Sequence, residues 1–451
     1  MQKYTNFYFE SYSFDYDNLK ASFDYSFDSK LFFREEIDFS SEFELRDNLD
    51  IEIIDNILSH IHIALGISYY KFFPTKDLII NTVNLDQKSK DFWKKFYLNW
   101  LGEFFYKNDI NPSNLLNFKY KWKLKQKKEY KLQNKSLVPI WWWKDSIVSI
   151  ELLKQIWYEF DLYTFWKDNT LYENTTKISG KKRLITKRYL SKNIKEIIDS
   201  WACNWHIPIT WIIAFNMLLV SYLYDYKYLV LSNEKSANFW NTNKFWININ
   251  HQWSKSLEFE LDFAKYIKDN ISSEVRYFSL LRPFYEIKIA EIFSKLAKKY
   301  FTLFSSCNNN FKILKDTSYS NNGFWCNACP KCAFVYGILS AFLNKEELLS
   351  IFGKDLYEDE NLIPLFSELL WIKDIKPFEC VGESSEVIWA MRESYKNYQN
   401  KLPIVLKIFD REVNSKMKEK DYKKLKQNLF DFSLEDSNIP KEIKEQLLII
   451  L

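Results

Sequence analysis

Between residues 137 and 300 short apolar runs alternate with longer amphipathic ones, and this alternation constrains the fold more than any other feature. Runs near 137–140, 159–165 and 228–232 have the length and β-branched or aromatic character of buried strands. Stretches near 146–157, 191–200, 207–223, 257–270 and 284–299 carry helical periodicity. Strands alternating with helices predict an α/β fold built on a parallel sheet. Residues 5–45 alternate aromatic and polar side chains, which predicts two or three antiparallel strands, and residues 51–66 and 87–108 read as helices. A short strand and most of the cysteines are expected within 301–332, and 333–451 reads as mainly helical, with a Lys-rich tail from about 410. Three regions follow: a β/α region over 1–130, an α/β domain over 131–305, and a Cys-cluster and helical region over 306–451.

The strand Leu137–Ile140 runs through Trp141, Trp142 and Trp143 into Lys144, Asp145 and Ser146, where the next helix begins. A strand, a tight turn ending in Lys-Asp-Ser and a helix have the layout of a phosphate-binding loop. Lys144 supplies a cation, Asp145 can hold Mg²⁺ through oxygen, and Ser146 can cap the helix and donate to phosphate. Such loops need bare backbone so that N–H groups can close on phosphate oxygens, and three indoles fill that space. The chain holds 7 Gly and 17 Trp in 451 residues, whereas average usage would supply about 30 Gly. Other Trp residues, at 100, 205, 240 and 371, also stand where turns or element ends are expected. Either the loop is destroyed, or several Trp stand where the natural protein carries Gly, as when a UGA codon meaning Gly is read as Trp.

Five further stretches carry candidate chemistry. Ser232, Asn233 and Glu234 follow the strand near 228–232, at the strand end where open α/β sheets bind ligands. The polar run 250–256 contributes His251, a base or substrate contact, and Lys255. Arg282, before Pro283 and a helix, can pair with a phosphate or carboxylate, or form a surface salt bridge. Cys326, Cys329 and Cys332 at two-residue spacing, with Cys307 upstream, match a tetrahedral zinc site, a redox or nucleophilic thiol being the competing reading. Cys380 lies between Glu379 and Glu383 beside Gly382. It reads as a proton-transfer thiol or an inert buried one, and the flanking carboxylates are expected to raise its pKa.

Composition sets the outer bounds. A net charge of +4 with interspersed signs leaves no nucleic-acid footprint, and the basic run 119–128 reads as a solvated linker or edge strand. The N-terminus lacks the apolar run of a signal peptide, and 207–224, the most apolar stretch, reads as a buried helix. A cytoplasmic protein without membrane insertion is expected, its six Cys serving metal or chemistry more than disulfides.

Read with Gly for Trp at 141–143, 205, 240 and 371, the ordered motifs resemble the ATP-dependent UDP-N-acetylmuramoyl-L-alanyl-L-glutamate epimerases of peptidoglycan synthesis. The matching text is Gly66–Lys71, Leu101–Tyr106, Lys144–Ser146, Asn204–Thr210, Ser232–Asn238, Asn250–Ser256, Tyr277–Pro283, Trp325–Cys332 and Pro377–Gly382. The nucleotide part is also similar to the wider ATP-pyrophosphatase superfamily, which implies a HUP-like core. The resemblance implies ATP and Mg²⁺, bound by the 141–146 loop with Ser232, Asn233 and Arg282. It also implies a UDP-MurNAc-dipeptide substrate and an acid–base pair drawn from Cys380, His251, Lys255 and Glu234. Another ATP-pyrophosphatase chemistry (amide ligation, or thiolation of a base or tRNA) and an inactive zinc-binding scaffold stand as alternatives.

Overall fold

The structure is a computed structural model that describes residues 3–120, 126–141, 143–156, 158–166, 170–200, 202–203, 209–311, 324–372, 379–395, 397–398 and 401–451. Among the described residues twelve strands are β1 (Asn6–Asp15), β2 (Lys20–Phe27), β3 (Leu31–Asp38), β4 (Asp77–Ile80), β5 (Asn117–Tyr120), β6 (Gln133–Pro139), β7 (Phe160–Phe165), β8 (Arg183–Tyr189), β9 (Tyr226–Leu231), β10 (Thr242–Lys244), β11 (Ile247–Ile249) and β12 (Arg276–Ser279). Ten of them form one sheet in the order β12-β9-β6-β7-β8-β3-β2-β1-β4-β5.

β8, β7, β6, β9 and β12 are mutually parallel. Counted from β6 their order is 3-2-1-4-5, a doubly wound arrangement whose winding reverses between β6 and β9. The antiparallel β1, β2 and β3, in the aromatic-rich segment expected to supply strands, join this sheet by β3 pairing with β8. The sheet is therefore mixed and continuous across residue 130. Beyond residue 330 the described elements are helical, as expected.

The expected helices are present at Lys144–Gln155, Ile194–Asp199, Thr210–Tyr224, Leu257–Asn270 and Glu286–Leu296. β4, β5, β8 and the helix Thr170–Ser179 were not legible, being short or polar on one face. The strand expected within 301–332 is absent among the described residues: Asn308–Phe311 is a 3₁₀ turn and Cys307 sits in a loop. Helix Ile51–Tyr70 is long and apolar enough to cross a membrane, yet most of it is buried within the protein core. Its apolar character belongs to packing against the sheet and helix Thr210–Tyr224.

Candidate active site

The carboxyl ends of β6, β9 and β12 lie side by side, and the loops leaving them carry most of the charged residues buried in this half of the molecule. Open parallel sheets bind ligands at this edge, beside the strand pair where the winding reverses. After β6 comes the turn to Lys144, after β9 the run Ser232–Asn238, and after β12 the turn to Glu286. Helix Pro330–Leu339 brings Lys331, and the segment 379–386 closes the far side.

Lys144 is fully buried, its ammonium in ion pairs with Asp145 and Glu286. Lys331 lies 3.4 Å from the other oxygen of Glu286. Asp145, Glu234 and Glu286 each offer a carboxylate oxygen within 4.8 Å of the others. Burial and the charge of Glu286 raise the Asp145 carboxyl, whereas Lys144 and Lys331 outweigh burial and hold Glu286 low. Glu386 accepts from Ser236 Oγ at 2.6 Å and from the Ile287 and Glu383 amides at 2.8 Å each, and burial and Glu286 push it up to about 7. Gly382 is required beside it: a Cβ there would meet Glu386 Oε1 at 2.5 Å and Phe334 at 2.8 Å.

Some expected roles change. Ser146 does not cap its helix. Trp143 is the cap residue, and the Ser146 hydroxyl turns back to the carbonyls of Trp141 and Trp143. Ser232 pairs with Ser149 at 2.7 Å, and Asn233 donates to Ser279 at 3.0 Å. Arg282 is almost wholly buried and bonds Glu260 at 2.9 and 3.1 Å, the Glu234 carbonyl at 2.7 Å and the Lys255 carbonyl at 2.6 Å. It ties the 234 and 255 loops together through a salt bridge that is buried, not on the surface as the salt-bridge reading expected. Trp142, Trp205 and Pro377 lie outside the described residues.

A second group adjoins the first. His251 Nδ1 lies 2.5 Å from Glu103 Oε2, and its ring is hydrogen-bonded to Cys380. Burial pushes the imidazole down, but Cys380 and Glu103 outweigh it and raise it to about 10. The Cys380 thiol moves opposite to expectation. Burial pushes it up, but Lys255, His251 and Lys331 draw it below the usual range. The neighbouring carboxylate Glu379 instead engages Asn308. Lys255 stays charged because Cys380, Glu234, Asp145 and Glu286 outweigh its burial. Glu103, Glu286, Lys331 and Glu386 were missed as site residues. Glu103 and Lys331 stand in the motifs singled out above, but nothing in the linear text marks them as facing His251 and Glu286.

The sulfurs of Cys307, Cys326, Cys329 and Cys332 lie within 4.8 Å of one another, with 3.5 Å between Cys329 and Cys332 and 3.7 Å between Cys326 and Cys332. A tetrahedron with Zn–S bonds of about 2.3 Å has edges of about 3.8 Å, so these thiols fit zinc.

A half-buried thiol drawn down by Lys255 and His251, beside a lysine–carboxylate cluster at the mouth of a parallel sheet, gives this α/β protein a set of groups able to exchange protons. Residues 1–280 match the family model described as the MurL N-terminal domain, and residues 303–424 match the MurL C-terminal domain. The chain belongs to this MurL family. It is 32% identical over 370 residues to the UDP-N-acetyl-alpha-D-muramoyl-L-alanyl-L-glutamate epimerase of Xanthomonas oryzae pv. oryzae, covering 82% of this chain and 81% of that one. It is 31% identical over 396 residues to the enzyme of the same name from a Micromonospora species, covering 85% and 86%. No solved structure matches the chain.

Proposed function

We propose that this protein inverts the terminal L-Glu of UDP-MurNAc-L-Ala-L-Glu to D-Glu, using ATP to activate the α-carboxylate. The observation that carries this reading is that Lys255 faces both Cys380, which His251 also holds, and the cluster of Asp145, Glu234 and Glu286. A carboxyl-activating centre and a proton-transfer centre thereby share one site. The parallel strands β6, β7, β8, β9 and β12 serve as an ATP-pyrophosphatase-like, HUP-type core.

Lys144 and the amides opening helix Lys144–Gln155 hold the phosphates. Asp145, Glu234 and Glu286 are oxygen donors that suit Mg²⁺, which when bound neutralises phosphate charge. The α-carboxylate attacks the α-phosphorus and pyrophosphate leaves. The resulting acyl-adenylate has a far more acidic α-hydrogen than the carboxylate, because its enolate adds no second negative charge. The Cys380 thiolate takes that proton, and the Lys255 ammonium returns one to the opposite face. Water then cleaves the acyl-phosphate bond, releasing UDP-MurNAc-L-Ala-D-Glu and AMP. Arg282 positions the 234 and 255 loops through Glu260. The four thiols hold zinc as a structural clamp at the start of helix Pro330–Leu339.

The test is Cys380→Ala in deuterated water. Pyrophosphate release should persist while exchange of the α-hydrogen falls by about a hundredfold or more. Exchange at the unsubstituted rate would overturn the assignment of Cys380.

A further inference from the structure

The backbone sorts the tryptophans into two kinds. Trp93 and Trp253 are built into the fold. Each is buried, and their indole N–H groups donate to Tyr266 at 2.9 Å and Glu258 at 3.0 Å. Others occupy conformations that only glycine adopts freely. Of twelve non-glycine residues with positive φ among the described residues, three are Trp. In proportion to its 17 of 451 residues, Trp would supply fewer than one.

The three positions have distinct geometric reasons. Trp371 has φ 60° at the end of helix Ile363–Leu369. Ile372 N–H reaches the Ser367 carbonyl at 2.9 Å and Trp371 N–H the Glu368 carbonyl at 3.0 Å. That pair of bonds is the Schellman ending, whose left-handed residue is usually Gly. Trp246 has φ 65°, is 100% exposed, and follows Phe245 at φ 53° in the two-residue turn between β10 and β11. Such turns need left-handed backbone at both central residues and favour Gly at the second. Trp166, directly after β7, has φ 103°, beyond the left-handed helical well and open in practice to glycine.

Space makes the same case elsewhere. Trp100 and Trp211 have ring centroids 3.5 Å apart at 78°, and neither indole nitrogen has a hydrogen-bond partner. Edge-to-face rings sit at roughly 4.5–7 Å, so a glycine at one of the two positions removes the overlap. Trp143 has ordinary backbone angles, but its ring lies 4.3 Å from Lys255 Nζ and 5.4 Å from Lys331 Nζ. It fills the gap between the two halves of the site, with Trp141 packed at 6.2 Å from it.

We infer that Trp141, Trp143, Trp166, Trp246 and Trp371 occupy glycine positions, and that the turn after β6 is thereby an open backbone cradle for an anionic phosphate group. The assignment at 166, 246 and 371 stands on backbone stereochemistry, and that at 141 and 143 on the space their rings fill beside Lys255 and Lys331. The cradle rests on the proposed function.

The experiment is peptide mass spectrometry on protein purified from the cells that carry the gene. Gly is expected at 141–143, 166, 246 and 371, and Trp at 93 and 253. Trp at 166, 246 and 371 would overturn the assignment. In the second arm the chain carrying Gly at 141–143 is titrated with Mg²⁺-ATP by calorimetry beside the Trp chain. At least tenfold tighter binding is expected. Gly in the natural protein without any gain in binding would overturn the cradle and the nucleotide step while leaving the residue assignment standing.

Discussion

Replacing Glu103 by Gln removes the anion on one side of His251 while keeping the size of the side chain. In the intact protein the imidazole is raised from 6.5 to about 10 against the downward pull of burial, by Cys380 and then Glu103. The combined upward pull therefore exceeds three units, at about 1.4 kcal/mol each. Glu103 adds to the pull of Cys380, so Glu103→Gln should lower the His251 pKa below its value in the intact protein. The chain has only four His, so ring-proton NMR can follow His251 individually across a titration. The stability consequence has a definite sign. A raised His contributes stability in full below 6.5, and that contribution is lost as pH rises through its folded value near 10. The lowered Cys380 contributes in the opposite sense, present above the unfolded thiol range and lost as pH falls through its folded value. Where the windows overlap the two offset. In Cys380→Ser the larger upward pull on His251 is lost with the thiol, so Glu103 alone opposes burial, the decline in urea stability above pH 6.5 should be smaller than in the intact protein, and adding Glu103→Gln should remove it. A His251 that titrates near 6.5 in the intact protein, or that ignores Glu103→Gln, would refute the reasoning.

Glu260→Ala leaves the buried Arg282 guanidinium without its carboxylate, and should cost about 3–5 kcal/mol in urea unfolding; a loss under about 1 kcal/mol would mean Arg282 finds another anion. Trp371→Gly relieves a left-handed residue at an exposed helix end and should stabilise by about 1 kcal/mol, measured by thermal melting, with no gain counting against the strain argument. Cys326→Ser should abolish stoichiometric zinc in native mass spectrometry and lower the melting temperature, whereas full retention of metal would remove Cys326 from the ligand set.

What could be read from the linear text follows from which interactions are local. Helix Leu257–Asn270 matches its expected span because its apolar spacing and its Ser256 cap are both written in consecutive residues. β8, by contrast, alternates Leu184, Thr186 and Arg188 inward, and its inward Arg188 meets Glu35, 153 residues away. No local rule marks an arginine as core. Cys380 fails in the same way: its near neighbours in sequence are acidic, but its neighbours in space are Lys255, His251 and Lys331. Sequence adjacency therefore misjudged the sign of the field at the thiol.

The site draws on segments that individually carry weak signals, and the doubly wound order is what makes them one site. Glu103 arrives on the short helix Gly102–Lys107, which packs against β11, and His251 follows β11 by two residues. The hairpin of β10 and β11 thus sets the distance between a carboxylate and an imidazole 148 residues apart in sequence. That hairpin turns at Phe245 and Trp246, the strained left-handed pair. A glycine at 246 would ease the turn that holds Glu103 against His251, so the stereochemistry of an exposed turn and the electrostatics of the half-buried thiol belong to one chain of cause.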